Sequence, residues 1–308
     1  MLPSLSPTVQ PATLVVLIAL GLLTGHVARR SAPWLLGARD RPLPFRWPWV
    51  ELLGAALFAL VGLRLGAGLG TLPAYVLIAL LLGVIAADQR YKLIPDALTL
   101  GGGLVGVLLG AALPFLLPML ASQGETIALV GVPVHRLHIT GFVLAAGGAL
   151  VGFVLLETMR LGFSHLAGFE VMGMGDSKLM LMLGAFLGPI AVVLALPVAC
   201  VIGLLTGFVH RLRTGQPHFP FGPALAGGGV VVLLADDAVR AALLAPGEAI
   251  ARLSPLAVLA VMGVLIGLLI AVMLRLRARA AAYAADIDAD YAQAVAELED
   301  GAPAARDD

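Results

Sequence analysis

Charged residues and cysteines are scarce in this chain. Only 12% of its 308 residues are charged and 60% are hydrophobic, whereas about a quarter of the residues of a soluble protein are charged. A soluble globular protein is therefore excluded, and the composition indicates a polytopic membrane protein. Cys200 is the single cysteine, which excludes both an internal disulfide and a thiolate zinc site.

The sequence also lacks residues at metal-ligand spacing, and it lacks a basic patch rich in aromatic residues. The six histidines show no paired spacing with nearby acids, so no metal site is predicted. No basic patch carries interleaved aromatic residues, so no nucleic-acid partner is predicted.

The formal net charge of zero conceals an acidic C-terminal segment. Residues 286–308 hold eight acids and one arginine, which leaves eighteen basic and eleven acidic residues before them.

Apolar runs predict an all-α polytopic membrane helix bundle with about 8–9 transmembrane helices. The break at Gly188-Pro189 separates the sixth run from the seventh. The predicted spans are about 11–28, 49–63, 72–87, 97–118, 139–157, 178–188, 190–209, 222–244 and 254–274. We divide the chain into four regions on this basis: 1–48, a first span and a short basic loop; 49–244, a membrane-embedded core; 245–279, a further span; and 280–308, an acidic tail.

Lysine and arginine are distributed unevenly between the two sides of this arrangement. With the N-terminus outside, about fifteen of the 19 basic residues fall on the cytoplasmic side. The segments predicted to be cytoplasmic are 29–48, 88–96, 158–177, 210–221 and the tail after 275. This topology puts Asp88 and Asp176 on the same side of the membrane.

Two carboxylates stand at the ends of apolar runs. Asp88 follows the third run, and Asp176 follows Gly173 and Gly175 just before the sixth. An ionisable group at a membrane edge costs roughly 2.5–3.5 kcal/mol on insertion scales, which makes it a candidate functional residue. The glycines allow positive φ or a close approach of another segment. If the two carboxylates meet, one holds a proton as general acid while the other activates water.

Each of these residues also has a plainer interpretation. Asp88 can be an interfacial cap that begins a loop, and Asp176 can be the N-cap of a helix beginning at Ser177. Lys178 either holds one carboxylate charged or marks the cytoplasmic edge of the membrane. Pro95 fixes the start of the next helix, where Asp96 suits the N-cap position.

Two motifs resemble those of a known family. Asp88-x5-Ile-Pro-Asp96, followed by Gly173-Met-Gly-Asp-x-Lys-Leu179, is similar to the signature of the type IV prepilin peptidases, intramembrane aspartyl proteases of the GxGD type. The resemblance covers roughly residues 48 to 230. It includes a Pro-Phe-Gly-Pro turn at 220–223, which we interpret as a rigid start of the next span, with shaping of the substrate groove as the alternative.

The resemblance implies a leader peptidase of the bacterial cytoplasmic membrane that needs no cofactor. It assigns catalysis to Asp88 and Asp176 and leaves Asp96 as a cap. The expected partners are prepilin or pseudopilin substrates and membrane lipid, and the sequence leaves open whether the enzyme is a homodimer. The residues assigned to support or substrate binding are Gly173, Gly175, Lys178, Glu170 and Pro95.

One departure from the family concerns a second activity. Many prepilin peptidases carry two CxxC pairs between their first two spans, in a domain linked to N-methylation by S-adenosylmethionine. The corresponding loop here has about twenty residues and no cysteine, so methyltransferase activity is not expected. Two other functions remain open: a transporter that uses the two aspartates as a proton or cation relay, and an inactive pilin-assembly factor.

Overall fold

The computed structural model describes residues 9–37, 48–112, 137–168, 172–214 and 220–251, together with 274, 275 and 278. Between residues 9 and 251 the described residues form eight α-helices, a short 3-10 helix at Leu69–Thr71 and no strand, and residues 274, 275 and 278 are also helical. The helices are α1 (Pro11–Leu35), α2 (Trp49–Leu65), α3 (Leu72–Tyr91), α4 (Asp96–Ala112), α5 (Leu137–Ala167), α6 (Met174–Leu187), α7 (Pro189–Thr214) and α8 (Gly222–Ala251).

The chain divides into two compact units. The first comprises Met1–Thr158 and Gly173–Gly247, and the second comprises Met159–Met172 and Glu248–Asp308. All the packing and site geometry described below belongs to the first unit.

Five of the described helices are long and apolar enough to cross a membrane. They occupy Pro11–Leu35, Leu69–Tyr91, Ile139–Leu166, Pro189–Leu212 and Gly222–Leu243. The prediction of an all-α polytopic membrane protein is therefore confirmed. α2, α4 and α6 have 17, 17 and 14 residues, and the predicted span at 254–274 lies almost entirely outside the described residues.

The predicted break between the sixth and seventh runs is present. Gly188 has φ 82° and ψ 174°, and it ends α6, while α7 begins at the next residue, Pro189. A positive φ is a conformation that glycine adopts without the steric penalty of a side chain. The backbone N–H of Gly188 donates to the carbonyl of Gly184 at 2.8 Å. The two runs therefore form separate helices.

Glycines bring neighbouring helices into close contact. A Cβ placed on Gly25 of α1 would lie 2.5 Å from the carbonyl oxygen of Val50 in α2, and Gly21 and Gly54 face each other one turn further along. α5 and α6 meet in the same way at Gly148 and Gly184. Small residues at helix crossings are the usual means by which membrane helices gain van der Waals contact.

An ion pair with a buried acid joins α1 to α2 beside this glycine crossing. Glu51 is 7% exposed, and its Oε1 accepts a hydrogen bond from Nε of Arg29 at 2.7 Å. Nδ1 of His26 lies 3.4 Å from the same oxygen. The basic loop predicted from the sequence begins at Arg29, and no motif singles out Glu51. The structure instead places the arginine within α1, where it neutralises a carboxylate of α2.

Candidate active site

Asp88 lies inside the last turn of α3. It is 6% exposed, and its backbone carbonyl accepts a hydrogen bond from the N–H of Lys92 at 2.9 Å. Lys92 ends the helix in the left-handed conformation, with φ 52°. The interpretation of Asp88 as an interfacial cap that begins a loop is therefore wrong, because the helix continues for three residues beyond it.

Asp176 is the third residue of α6. The helix begins at Met174, and Gly173 precedes it in an extended conformation, with φ −73° and ψ 147°. The N–H of Asp176 donates to the carbonyl of Gly173 at 3.3 Å. Asp176 is therefore not the N-cap of a helix that starts at Ser177, because the helix starts three residues earlier.

Burial and a neighbouring acid together raise the pKa of the Asp176 carboxyl group. This residue stands in the first turn of α6, which is not one of the five candidate spans. Burial raises the pKa of its carboxyl group to about 7, and the negative charge of Asp88 adds to the increase. The two carboxylates are thus close enough to interact electrostatically.

The two glycines before Asp176 have different roles. Neither has a positive φ, and among the described glycines that conformation occurs at 37, 66, 168 and 188. A Cβ placed on Gly175 would lie 3.2 Å from Cβ of Ile94, so a close approach is present there. A Cβ on Gly173 would meet only Gly175 N, at 4.0 Å. The expected positive φ is therefore absent at both positions, and the close approach is present only at Gly175.

Ile94 contacts residues that lie beside each of the two acids. Its side chain packs against Gly175 and also against Gly222, the first residue of α8. Gly222 in turn faces the carboxylate of Asp88, since a Cβ placed there would lie 2.5 Å from Oδ2. The end of α3, the start of α6 and the start of α8 therefore meet around Ile94.

Two buried polar atoms at this site have no hydrogen-bond partner within the described part of the chain. They are Oδ2 of Asp88 and Oγ of Ser177, which is 0% exposed. A backbone amide at Gly222 and the positive charge of Lys92 act on the Asp88 carboxylate. By distance and angle, Oδ2 of Asp88 therefore accepts no hydrogen bond from the described residues.

Lys178 pairs with Asp96 and not with either of the two candidate acids. Its Nζ lies 2.7 Å from Oδ1 and 2.8 Å from Oδ2 of Asp96, which links α6 to α4. Asp96 is the first residue of α4, and the residue before it, Pro95, accepts the first helical hydrogen bonds from Leu98 and Thr99. The N-cap position therefore belongs to Pro95, which is buried, and the Asp96 carboxylate is held by the lysine.

The remaining predictions about the site have mixed outcomes. Glu170 lies outside the described residues. Among the described residues, no group of three His, Cys, Asp or Glu side chains could hold a metal ion. The contacts of Ile94 and Gly222 were missed. The sequence signal for Gly222 is the Pro-Phe-Gly-Pro turn, whose predicted role is mainly a rigid start of the next span.

The fold and the site together define a class of protein. It is a polytopic membrane protein in which two interacting aspartates come from the end of one apolar helix and the first turn of another. Residues 75–208 match the family model described as the type IV leader peptidase family. This segment, which contains Asp88 and Asp176, is therefore similar to the type IV leader peptidase family, as the sequence motifs predict.

Several relatives support this relationship, each named prepilin leader peptidase/N-methyltransferase. The protein from Aeromonas hydrophila is 33% identical over 216 residues, which cover 67% of this chain and 65% of that protein. The protein from Neisseria gonorrhoeae is 31% identical over 197 residues, 64% of this chain and 60% of the relative. The chain therefore spans less than two thirds of the length of these relatives. No solved structure matches it.

Proposed function

We propose that this protein is an intramembrane aspartic endopeptidase that removes the leader peptide of type IV prepilins or pseudopilins at the cytoplasmic face of the inner membrane. The observation that carries the proposal is the electrostatic interaction of Asp88 with Asp176 inside the segment that matches the leader peptidase family. A raised carboxyl pKa next to a second carboxylate is the arrangement that divides acid and base roles between two aspartates.

The pair provides both proton transfers that peptide hydrolysis needs. Asp88 takes a proton from water as the water oxygen bonds to the scissile carbonyl carbon, and Asp176 gives its proton to the carbonyl oxygen. The C–N bond of the resulting gem-diol then breaks. The proton on Asp88 passes to the leaving nitrogen, and one hydroxyl proton returns to Asp176. One water is consumed, and the pair recovers its starting protonation state.

The substrate class follows from the relatives and from the position of the pair. The relatives are named for prepilin leaders, and such substrates join a short basic leader to a hydrophobic helix. A peptide bond within a helix must be unwound before attack, and a glycine at the cleavage position lowers that cost by roughly 1 kcal/mol. We propose that the product is left unmethylated, because the single cysteine, Cys200, cannot form the paired CxxC motifs.

The test is cleavage of a synthetic prepilin-like peptide by the purified protein in liposomes. Mass spectrometry is expected to find one cut, after the glycine that precedes the hydrophobic segment, with chelator leaving the rate unchanged. Added S-adenosylmethionine is expected to leave the mass of the new N-terminus unchanged. An intact peptide would refute the peptidase proposal, and proton flux into the same liposomes would support the transporter alternative.

The rate of cleavage is expected to fall as the pH rises through about 7. Asp176 acts as the acid and must hold a proton, and its pKa is raised to about 7 by burial and by Asp88. Above this pH the rate is expected to drop roughly tenfold per pH unit. The rate also falls in acid, once both carboxylates are protonated, so the profile is bell-shaped and belongs to the pair.

The same raised pKa sets the sign of a stability effect. The contribution of Asp176 to the free energy of unfolding is fully present below 3.8, the pKa of its carboxyl group in the unfolded chain. This contribution is lost as the pH rises through about 7, the pKa in the folded protein. Initial rates from pH 4 to 9, with thermal unfolding followed in parallel, measure both effects. A rate that stayed constant from pH 6 to 9 would contradict the assignment of Asp176 as the acid.

A further inference from the structure

We infer that Gly222 is a positioning residue for the reaction: with no side chain of its own, it allows the amino end of α8 to approach and orient the Asp88 carboxylate. This inference rests on the proposed peptidase function. It gives the glycine of the Pro-Phe-Gly-Pro turn a role at the site itself, in addition to starting the helix.

The contact at Gly222 leaves no room for a side chain. A methyl group placed there would lie 2.5 Å from Oδ2 and 3.1 Å from Cγ of Asp88, whereas non-bonded carbon atoms pack best at about 3.5–4.0 Å. Asp88 is 6% exposed, so its carboxylate has little space into which it can turn. Any residue other than glycine at 222 therefore displaces the carboxylate.

The orientation of α8 makes this approach electrostatically favourable. The first N–H groups of a helix have no partner within the helix, and they form its positive end. The amide of Gly222 acts on the Asp88 carboxylate, as does the charge of Lys92 at the end of α3. Among the described residues, Asp176 also acts on Asp88, and Lys178 is paired with Asp96. The amide at the start of α8 and the charge of Lys92 are the favourable influences on the Asp88 carboxylate.

A displacement at Gly222 also reaches the second acid through Ile94. The same methyl group would lie 3.1 Å from Cδ1 of Ile94, and Cβ of Ile94 is the atom against which Gly175 packs. Gly175 immediately precedes Asp176 in the first turn of α6. Gly222 and Gly175 thus both contact Ile94, which is a second route for a displacement, in addition to the direct contact with Asp88.

The test compares Gly222→Ala with Gly101→Ala in the same liposome assay. Gly101 is a matched control because it lies in α4 with no atom within 4 Å of the position of an added methyl group. Gly222→Ala is expected to lower kcat roughly 100-fold, the size of effect that follows a misplacement of about 1 Å, while KM stays within about twofold. Gly101→Ala is expected to keep both values. A wild-type kcat in Gly222→Ala would overturn the inference.

Ile94→Val separates the two contacts of the added methyl group. This change removes Cδ1 of Ile94 but leaves Asp88 in place, so Gly222→Ala/Ile94→Val is expected to be as slow as Gly222→Ala. Full recovery in the double variant would assign the loss to Ile94 and overturn the inference. An inactive wild-type protein would instead refute the proposed function, so the two failures are distinguishable.

Stability provides a second readout that does not depend on activity. If Gly222→Ala lowers the unfolding temperature or fails to fold, Asp88→Ala is expected to restore folding in the double variant, because it removes the carboxylate that the methyl group meets. A double variant that stays as unstable as Gly222→Ala would show that Asp88 is not the group displaced, and the inference would fail.

Discussion

Asp176→Asn is expected to abolish leader cleavage, with a loss of at least roughly 1,000-fold, while the protein still inserts and folds. Asparagine has nearly the same shape as aspartate but can neither give nor take the proton that the reaction moves, and acid–base groups contribute about 10²–10⁴-fold to rates. Asp88→Asn is expected to have the same effect, because the two carboxylates act as one unit. The measurement is the fraction of prepilin-like peptide cleaved over a fixed time.

Asp96→Asn is the matched control for these two variants. Asp96 carries the same side chain and also stands near the start of an apolar helix, but its carboxylate is 60% exposed and pairs with Lys178. Partly exposed ion pairs contribute about 0–1 kcal/mol to stability, so cleavage is expected to stay within about threefold of wild type. Complete processing by Asp176→Asn would refute the catalytic assignment, as would equal losses in all three variants.

Arg29→Gln is expected to destabilise the first unit by about 1–3 kcal/mol, the usual cost of leaving a buried polar group without its partner. Glu51 is 7% exposed and loses its hydrogen-bond donor, while Arg29 itself is only half-buried, so the larger cost of breaking a fully buried ion pair does not apply. Nδ1 of His26 lies 3.4 Å from Oε1 of Glu51, but the His26 side chain is 45% exposed, so it replaces the arginine poorly. The free energy of unfolding, measured in mixed detergent micelles, gives the value directly.

The accompanying variants separate the lost charge pair from lost packing. Adding Glu51→Gln to Arg29→Gln removes the unpaired charge and is expected to recover much of the lost free energy. Lys178→Gln breaks an ion pair whose acid is 60% exposed and is expected to cost less than about 1 kcal/mol. If Arg29→Gln cost no more than Lys178→Gln, the buried pair would not be what holds α1 to α2.

The sequence predicts the spans well but misplaces the helix ends that matter for the site. Hydropathy marks where an apolar run stops, so the third run was ended at residue 87 and the sixth was begun at 178. The backbone instead ends α3 at the left-handed Lys92 and begins α6 after the extended Gly173. A charged side chain does not stop a helix, so both aspartates lie inside helical turns.

The motifs single out Asp88 and Asp176, and the structure places the two carboxylates close enough to interact electrostatically. Their catalytic role stays a prediction. The contacts of Gly222 and Ile94 could not be predicted, because they depend on how the start of α8 packs against segments far away in sequence. The partner of Lys178 could not be predicted for the same reason. Charge alone does not show whether the lysine pairs with Asp88, Asp96 or Asp176.

The shortness of α6 has a consequence for where this helix can lie. Its 14 residues extend about 21 Å at 1.5 Å per residue, which is roughly 9 Å less than the hydrocarbon thickness of a bilayer. Its apolar side chains from Leu179 to Leu187 are mostly buried, so they contact protein and need no lipid around them. Under the proposed peptidase function, Asp176 therefore stands on a helix that does not have to cross the bilayer in order to hold it.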